Sequence, residues 1–146
     1  MPSEAYLAQL AKTIQLSVAP VFLLTAIGTT LAVLTNRLSR IVDWARVLEG
    51  RLASLTAQKG VEIRAELSAL LRRSQLINLA ITLGTVCALL ICMMIASMFI
   101  GVLLSFDLHV MVALLFVTAM FAFIGALLAF LREIFIAVKT LRIDVK

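Results

Sequence analysis

The sequence predicts an all-α integral membrane protein with three transmembrane helices, the first two extended into a cytoplasmic antiparallel helical hairpin. Three observations carry this. Of 146 residues, 63% are hydrophobic, against roughly half in a soluble domain. A chain this short has too much surface for its volume to hide them in one core. Three runs, Thr13–Asn36, Ser74–Phe106 and Leu108–Leu131, contain no Asp, Glu, Lys or Arg, and a span needs only about 20 apolar residues. Between and after these runs, apolar residues recur in steps of three and four, the pattern of helices that pack together in water.

Residues 1–12 read as a short amphipathic segment on the outer surface, with Leu7, Leu10 and Ile14 on one face. Its only charges are Glu4 and Lys12, and the basic residues follow the first apolar run. The first span is therefore expected to be retained, unlike a cleaved signal peptide. Residues 13–36 form transmembrane helix one. Pro20 inside it removes a hydrogen bond to the residue four back and predicts a kink, with Ser17 placed to satisfy the freed carbonyl.

Residues 37–78 form the hairpin. After Asn36 the chain becomes "RLSRIVDWARVLEG" with no breaker before Gly50. Its seam is Leu38, Ile41, Ala45, Leu48, Leu52 and Leu55; Arg40, Asp43, Arg46 and Glu49 fall between at alternating-sign i,i+3 spacing. "TAQKG" interrupts the pattern, and Gly60 suits the left-handed residue that ends a helix. A second seam, Ile63, Leu67, Leu70, Ser74 and Ile77, runs on into the membrane. Two long helices are expected, near Ile14–Ala57 and Val61–Leu103, each projecting about 30 Å beyond the bilayer at 1.5 Å per residue. An antiparallel pairing brings Arg51 near Glu66, and Asp43 near Arg72 and Arg73. Both seams read either as packing within one chain or as an interface between subunits.

The second span is placed at 79–103, an outer turn at 104–108, the third span at 109–131 and a cytoplasmic helical tail at 132–146. In the tail, Ile134, Val138, Leu141 and Val145 form an apolar stripe, and Trp44, off the main seam, is the expected contact for this third helix. Orientation follows from the basic residues. Eight lie between Arg37 and Arg73, four follow Leu131, one precedes the first span, and none joins spans two and three. Lys and Arg accumulate on the cytoplasmic side, so the hairpin and tail face the cytoplasm and the N-terminus lies outside. The net charge of +5 then marks topology and calls for no nucleic-acid partner.

Within the membrane, Thr25, Thr29 and Asn36 share a broad face of span one, and Asn78, Thr82 and Thr85 a face of span two. These six are candidates for helix packing or for lining a pore. Ala80, Gly84 and Ala88 form a neighbouring face, and Thr118, Ala122, Gly125, Ala126 and Ala129 give span three small residues of the kind that allow close helix approach. The spans hold no Asp, Glu, Lys or Arg, which disfavours a proton-coupled transporter while leaving a passive pore open.

Signatures of catalysis are weak. Ser105, Asp107 and His109 are crowded into one turn, and phosphate-loop and metalloprotease motifs are missing. Cys87 and Cys92 are five apart on a helix, so they point apart and an internal disulfide is not expected. Met94, Met98, Met111 and His109 offer soft ligands near the outer end, but Met also fills gaps in apolar helices. No catalytic residue, metal or cofactor is expected.

The segments "SVAP", Gly28, "LTNRLSRIVDWARVLEG" and "LREIF" resemble those of an uncharacterised family of small bacterial membrane proteins, a domain of unknown function, over most of the chain. The resemblance implies a bacterial inner-membrane location and about three spans; it carries no activity. The leading expectation is a homo-oligomeric ion-conducting pore in the lipid bilayer. The alternative is a scaffold or accessory subunit that docks a cytosolic or membrane protein through the hairpin.

Overall fold

The computed structural model describes residues 3–54, 57–105 and 107–143, and the side chains of all of these except 57–59 and 140–143. The chain is all-α, with α1 at Glu4–Leu52, α2 at Ala57–Leu104 and α3 at His109–Ile143. All three are long and apolar enough to cross a membrane, each with a window of mean hydropathy of 2.0 or more.

Local chemistry accounts for the helix ends. The Ser3 carbonyl accepts from the backbone N–H groups of Tyr6 and Leu7, and Glu4 sits in the first turn, where the helix dipole favours an acid. No breaker separates Glu4 from Thr13, so α1 starts ten residues before the expected Ile14 and continues through Pro20. It stops at Leu52, earlier than expected. There the Ser54 hydroxyl and N–H both donate to the Arg51 carbonyl, satisfying one of the acceptors a helix end leaves open. Gly60 lies inside α2 and has no left-handed conformation. The break thus falls at Ala53–Ser54, upstream of the expected Gly60. α2 ends at Leu104, followed by Ser105 in the left-handed region at φ 55°. Asp107 Oδ1 then accepts from the His109 N–H at 3.2 Å as α3 begins.

The contacts fall into two compact units. The first contains Met1–Leu31 and Leu83–Ile124, cored by Ile27, Cys87, Ile91 and Ala119. Gly84 faces Leu31 so closely that an added Cβ would stand 2.9 Å from Leu31 Cδ2. The small residue therefore sets the approach of α1 and α2 within this unit. Cys87 is buried and Cys92 exposed, so the two do point apart.

The second unit contains Ala32–Thr82 and Gly125–Lys146. Its core takes Leu34, Ile41 and Leu48 from α1, Leu70, Ile77 and Ala80 from α2, and Ala129 from α3. Leu38, Ala45 and Ile63 pack against it partly buried, and Leu52 and Leu67 are half-buried. Leu55 lies outside the described residues. The third helix departs from expectation. Val138 is 53% exposed, and the inward face passes through Ala126, Ala129, Phe130 and Glu133. With Ala126, Ala129 and Glu133 buried, Ile134 and Val138 fall about 100° or more round the helix from Glu133 and lie partly outward. Of the expected tail stripe, Leu141 and Val145 have no described side chains.

Candidate functional site

Most polar side chains in the spans do not form a site. The hydroxyls of Thr25, Thr29 and Thr82 donate to the carbonyls of Val21, Thr25 and Asn78, four residues back on their own helices. Ser17 likewise bonds the Thr13 carbonyl, so it does not serve the Leu16 carbonyl that Pro20 leaves without a donor. All six residues expected to line a pore or pack helices, Thr25, Thr29, Asn36, Asn78, Thr82 and Thr85, are exposed on this chain. The Asn36 and Asn78 carboxamides find no hydrogen bond among the described residues. Thr118, expected at a packing face, is exposed and bonds the Leu114 carbonyl.

The outer-end sulfur cluster does not converge. Met94 is buried, Met111 lines one cleft, and Met98 shares a second, of about 480 Å³, with His109 and Lys12. A lysine in that cleft disfavours a cation. The Asp107 carboxylate contacts the His109 ring. This hydrogen bond, with the charge of a protonated imidazole, holds Asp107 below the ordinary Asp range.

The chemistry gathers instead at one point in the second unit, and each helix contributes one residue. Glu133 of α3 is fully buried. Its Oε1 accepts from Arg73 Nε at 3.2 Å and Nη2 at 3.0 Å. Its Oε2 lies 3.2 Å from Arg37 Nη1, an ionic contact off the alignment of a hydrogen bond. The Arg37 guanidinium also stands 5.3 Å from the centre of the Phe130 ring, within cation–π range. The arginine side chains are 35% and 22% exposed. The cations thus keep an open edge while protein encloses the acid.

The positions explain the junction. Arg37 is the first charge after run one, Arg73 the last before run two, and Glu133 follows run three by two residues. All three helices pass from apolar to charged sequence at the same level, and the ion cluster fastens them there. The pairs expected along the extension do not form among the described residues. Arg73 is committed to Glu133 rather than Asp43, and Glu66 accepts from Trp44 Nε1 at 3.2 Å rather than pairing with Arg51. Trp44, expected against the third helix, is therefore anchored on α2 and is 45% exposed.

Glu133 is the centre of this cluster, and local sequence pattern does not single it out. Beside Arg132 in a charged tail it reads as solvated surface. Its only signals are that it is the sole acid in α3 and lies in "LREIF".

Fold and junction together define a class: an all-α protein with three helices fit to span a membrane, clasped by a buried carboxylate between two arginines. The chain belongs to DUF2721, a family of proteins of unknown function, whose model matches residues 17–143. No curated protein and no solved structure matches it.

Proposed function

We propose that the protein is a membrane-anchored docking subunit with no enzymatic role of its own. It assembles as a homo-oligomer in a bacterial inner membrane, with the paired α1–α2 extension as a hairpin in the cytoplasm and the N-terminus outside. The observation that carries this is the surface of the extension. Val42, Trp44, Val47, Val61 and Leu71 are each at least 36% exposed, interleaved with exposed Arg40, Asp43, Arg46, Glu49, Glu62 and Arg64. Aromatic and aliphatic anchors among charges of both signs suit a protein partner. A lipid-binding segment would be uniformly basic.

The second reading is an ion-conducting pore. The carboxamides of Asn36 and Asn78, exposed without a partner, favour it. The threonines argue less for it than their type suggests, because hydroxyls bonded to their own helix can face lipid at little cost.

A photo-crosslinking residue at Val47 in native membranes separates the two. The docking reading expects one discrete protein adduct at fixed stoichiometry, lost in Trp44→Ala. Ion flux in reconstituted vesicles, with no adduct to any protein other than copies of this chain, would overturn it in favour of the pore.

A further inference from the structure

The ionic junction fixes which way its neighbours in sequence face. Successive helix positions are about 100° apart, so turning Arg73 and Glu133 inward leaves Arg72 and Arg132 on an adjoining flank. Both are exposed, and among the described residues neither has an acid within ion-pairing distance. Both line one cleft of about 320 Å³ between α2 and α3, walled also by Gln75, Leu76, Leu79 and Ile136. On α2 the lining follows a single helical stripe. It is cationic at Arg72, amide at Gln75, and apolar at Leu76 and Leu79, the last three lying within the charge-free run that begins at Ser74.

Two guanidiniums sharing a cleft repel each other unless an anion lies between them. Glu133, the one carboxylate at this level among the described residues, is already held by Arg37 and Arg73. Four arginines against one glutamate leave this border strongly positive. Guanidinium forks match phosphate oxygens in pairs, and basic pockets between spans at the membrane border take acidic head groups. The volume sits at the lower end of small-ligand clefts, enough for a head group but not a whole lipid. Below it, Leu79 is 49% exposed and Leu128, one turn deeper than Arg132 on α3, is 60% exposed. A chain can lie along both.

We propose that this cleft binds the head group of an anionic phospholipid. Arg72 and Arg132 hold the phosphate, Gln75 donates to an ester or glycerol oxygen, and an acyl chain lies along Leu76 and Leu79. A free phosphate shares the ionic chemistry but leaves the apolar wall uncovered.

The test is native mass spectrometry of the detergent-purified full chain, titrated with phosphatidylglycerol or phosphatidylcholine of identical acyl chains, with inorganic phosphate as a third arm. Phosphatidylglycerol is expected to remain bound, one per chain, under conditions that strip phosphatidylcholine. Each arginine near an anionic surface is worth about a fivefold change, so R72Q/R132Q should weaken retention about 25-fold. R72K/R132K, which keeps charge and loses the fork, should fall between, and K139Q should match the parent. If the glutamine pair fails to fold, the lysine pair decides by the same reading. Equal retention of the two lipids, or parental retention in the arginine variants, would overturn the proposal. So would displacement of phosphatidylglycerol by millimolar phosphate, which would assign the cleft to a soluble anion.

Discussion

Glu133→Gln should destabilise the second unit strongly, and the magnitude follows from the junction. The carboxylate is fully buried and, among the described residues, is the only acid within ion-pairing distance of Arg37 and Arg73. Removing one partner of a buried ionic group typically costs about 3–5 kcal/mol, because the remaining charges are left uncompensated. Here the arginines are 35% and 22% exposed and can rehydrate. Glutamine also still accepts one hydrogen bond, which together lowers the expected cost to about 2–3 kcal/mol. Trp44 is the single tryptophan and sits in this unit, bonded to Glu66. Its fluorescence reports unfolding by denaturant in detergent with no added probe. Arg37→Met/Arg73→Met/Glu133→Leu should recover most of the loss, since well-packed apolar groups commonly replace a buried ionic triad at little cost. A Glu133→Gln midpoint within about 0.5 kcal/mol of the parent, the size of an ordinary surface substitution, would refute the clasp.

Three further outcomes are expected. Gly84→Val should cost about 1–3 kcal/mol by over-packing against Leu31, whereas Gly84→Ala should cost less, since only the movable Leu31 methyl must give way; denaturant melts of both variants check the order. Ser105→Gly should stabilise by about 0.5–1 kcal/mol, because Ser105 holds φ 55°, and left-handed backbone strains any residue with a Cβ; an unchanged or lower midpoint counts against it. Asp107 should titrate below an ordinary aspartate by carboxyl NMR and move upward in His109→Ala. Because its folded-state pKa is lowered, its stabilising contribution is complete above the unfolded-state pKa and disappears as pH falls through the lowered value.

Much of the fold was legible because it is written in periodicity. Ile41 and Leu48 lie seven residues apart, as do Leu70 and Ile77, and all four are buried where the three-and-four pattern placed a seam. The Gly84 approach was legible as a small residue between Ala80 and Ala88. Helix ends were less so. Gly60 looked like a stop, yet near a helix start it costs little, and the serine after Arg51 did the capping instead. The junction was not legible, because charge partners sixty and ninety-six residues apart share no local pattern. Periodicity finds faces, and only the packed helices show which charges meet. Thr25, Thr29 and Thr82 show how little residue type alone says. As residue types they suggest polar lining, but their hydroxyls are already bonded to their own helices.

The proposed cytoplasmic extension, the proposed place of the junction at the membrane border and the proposed lipid cleft all depend on where the helices would leave a bilayer. The most direct measurement is labelling by an impermeant maleimide in sealed inner-membrane vesicles of known orientation. The chains carry a single cysteine at Ser54 or at Ser105, both exposed in turns, with Cys87 and Cys92 replaced by alanine. Ser54→Cys should react only from the cytoplasmic face and Ser105→Cys only from the outer face. Labelling of both from the same face would contradict this arrangement.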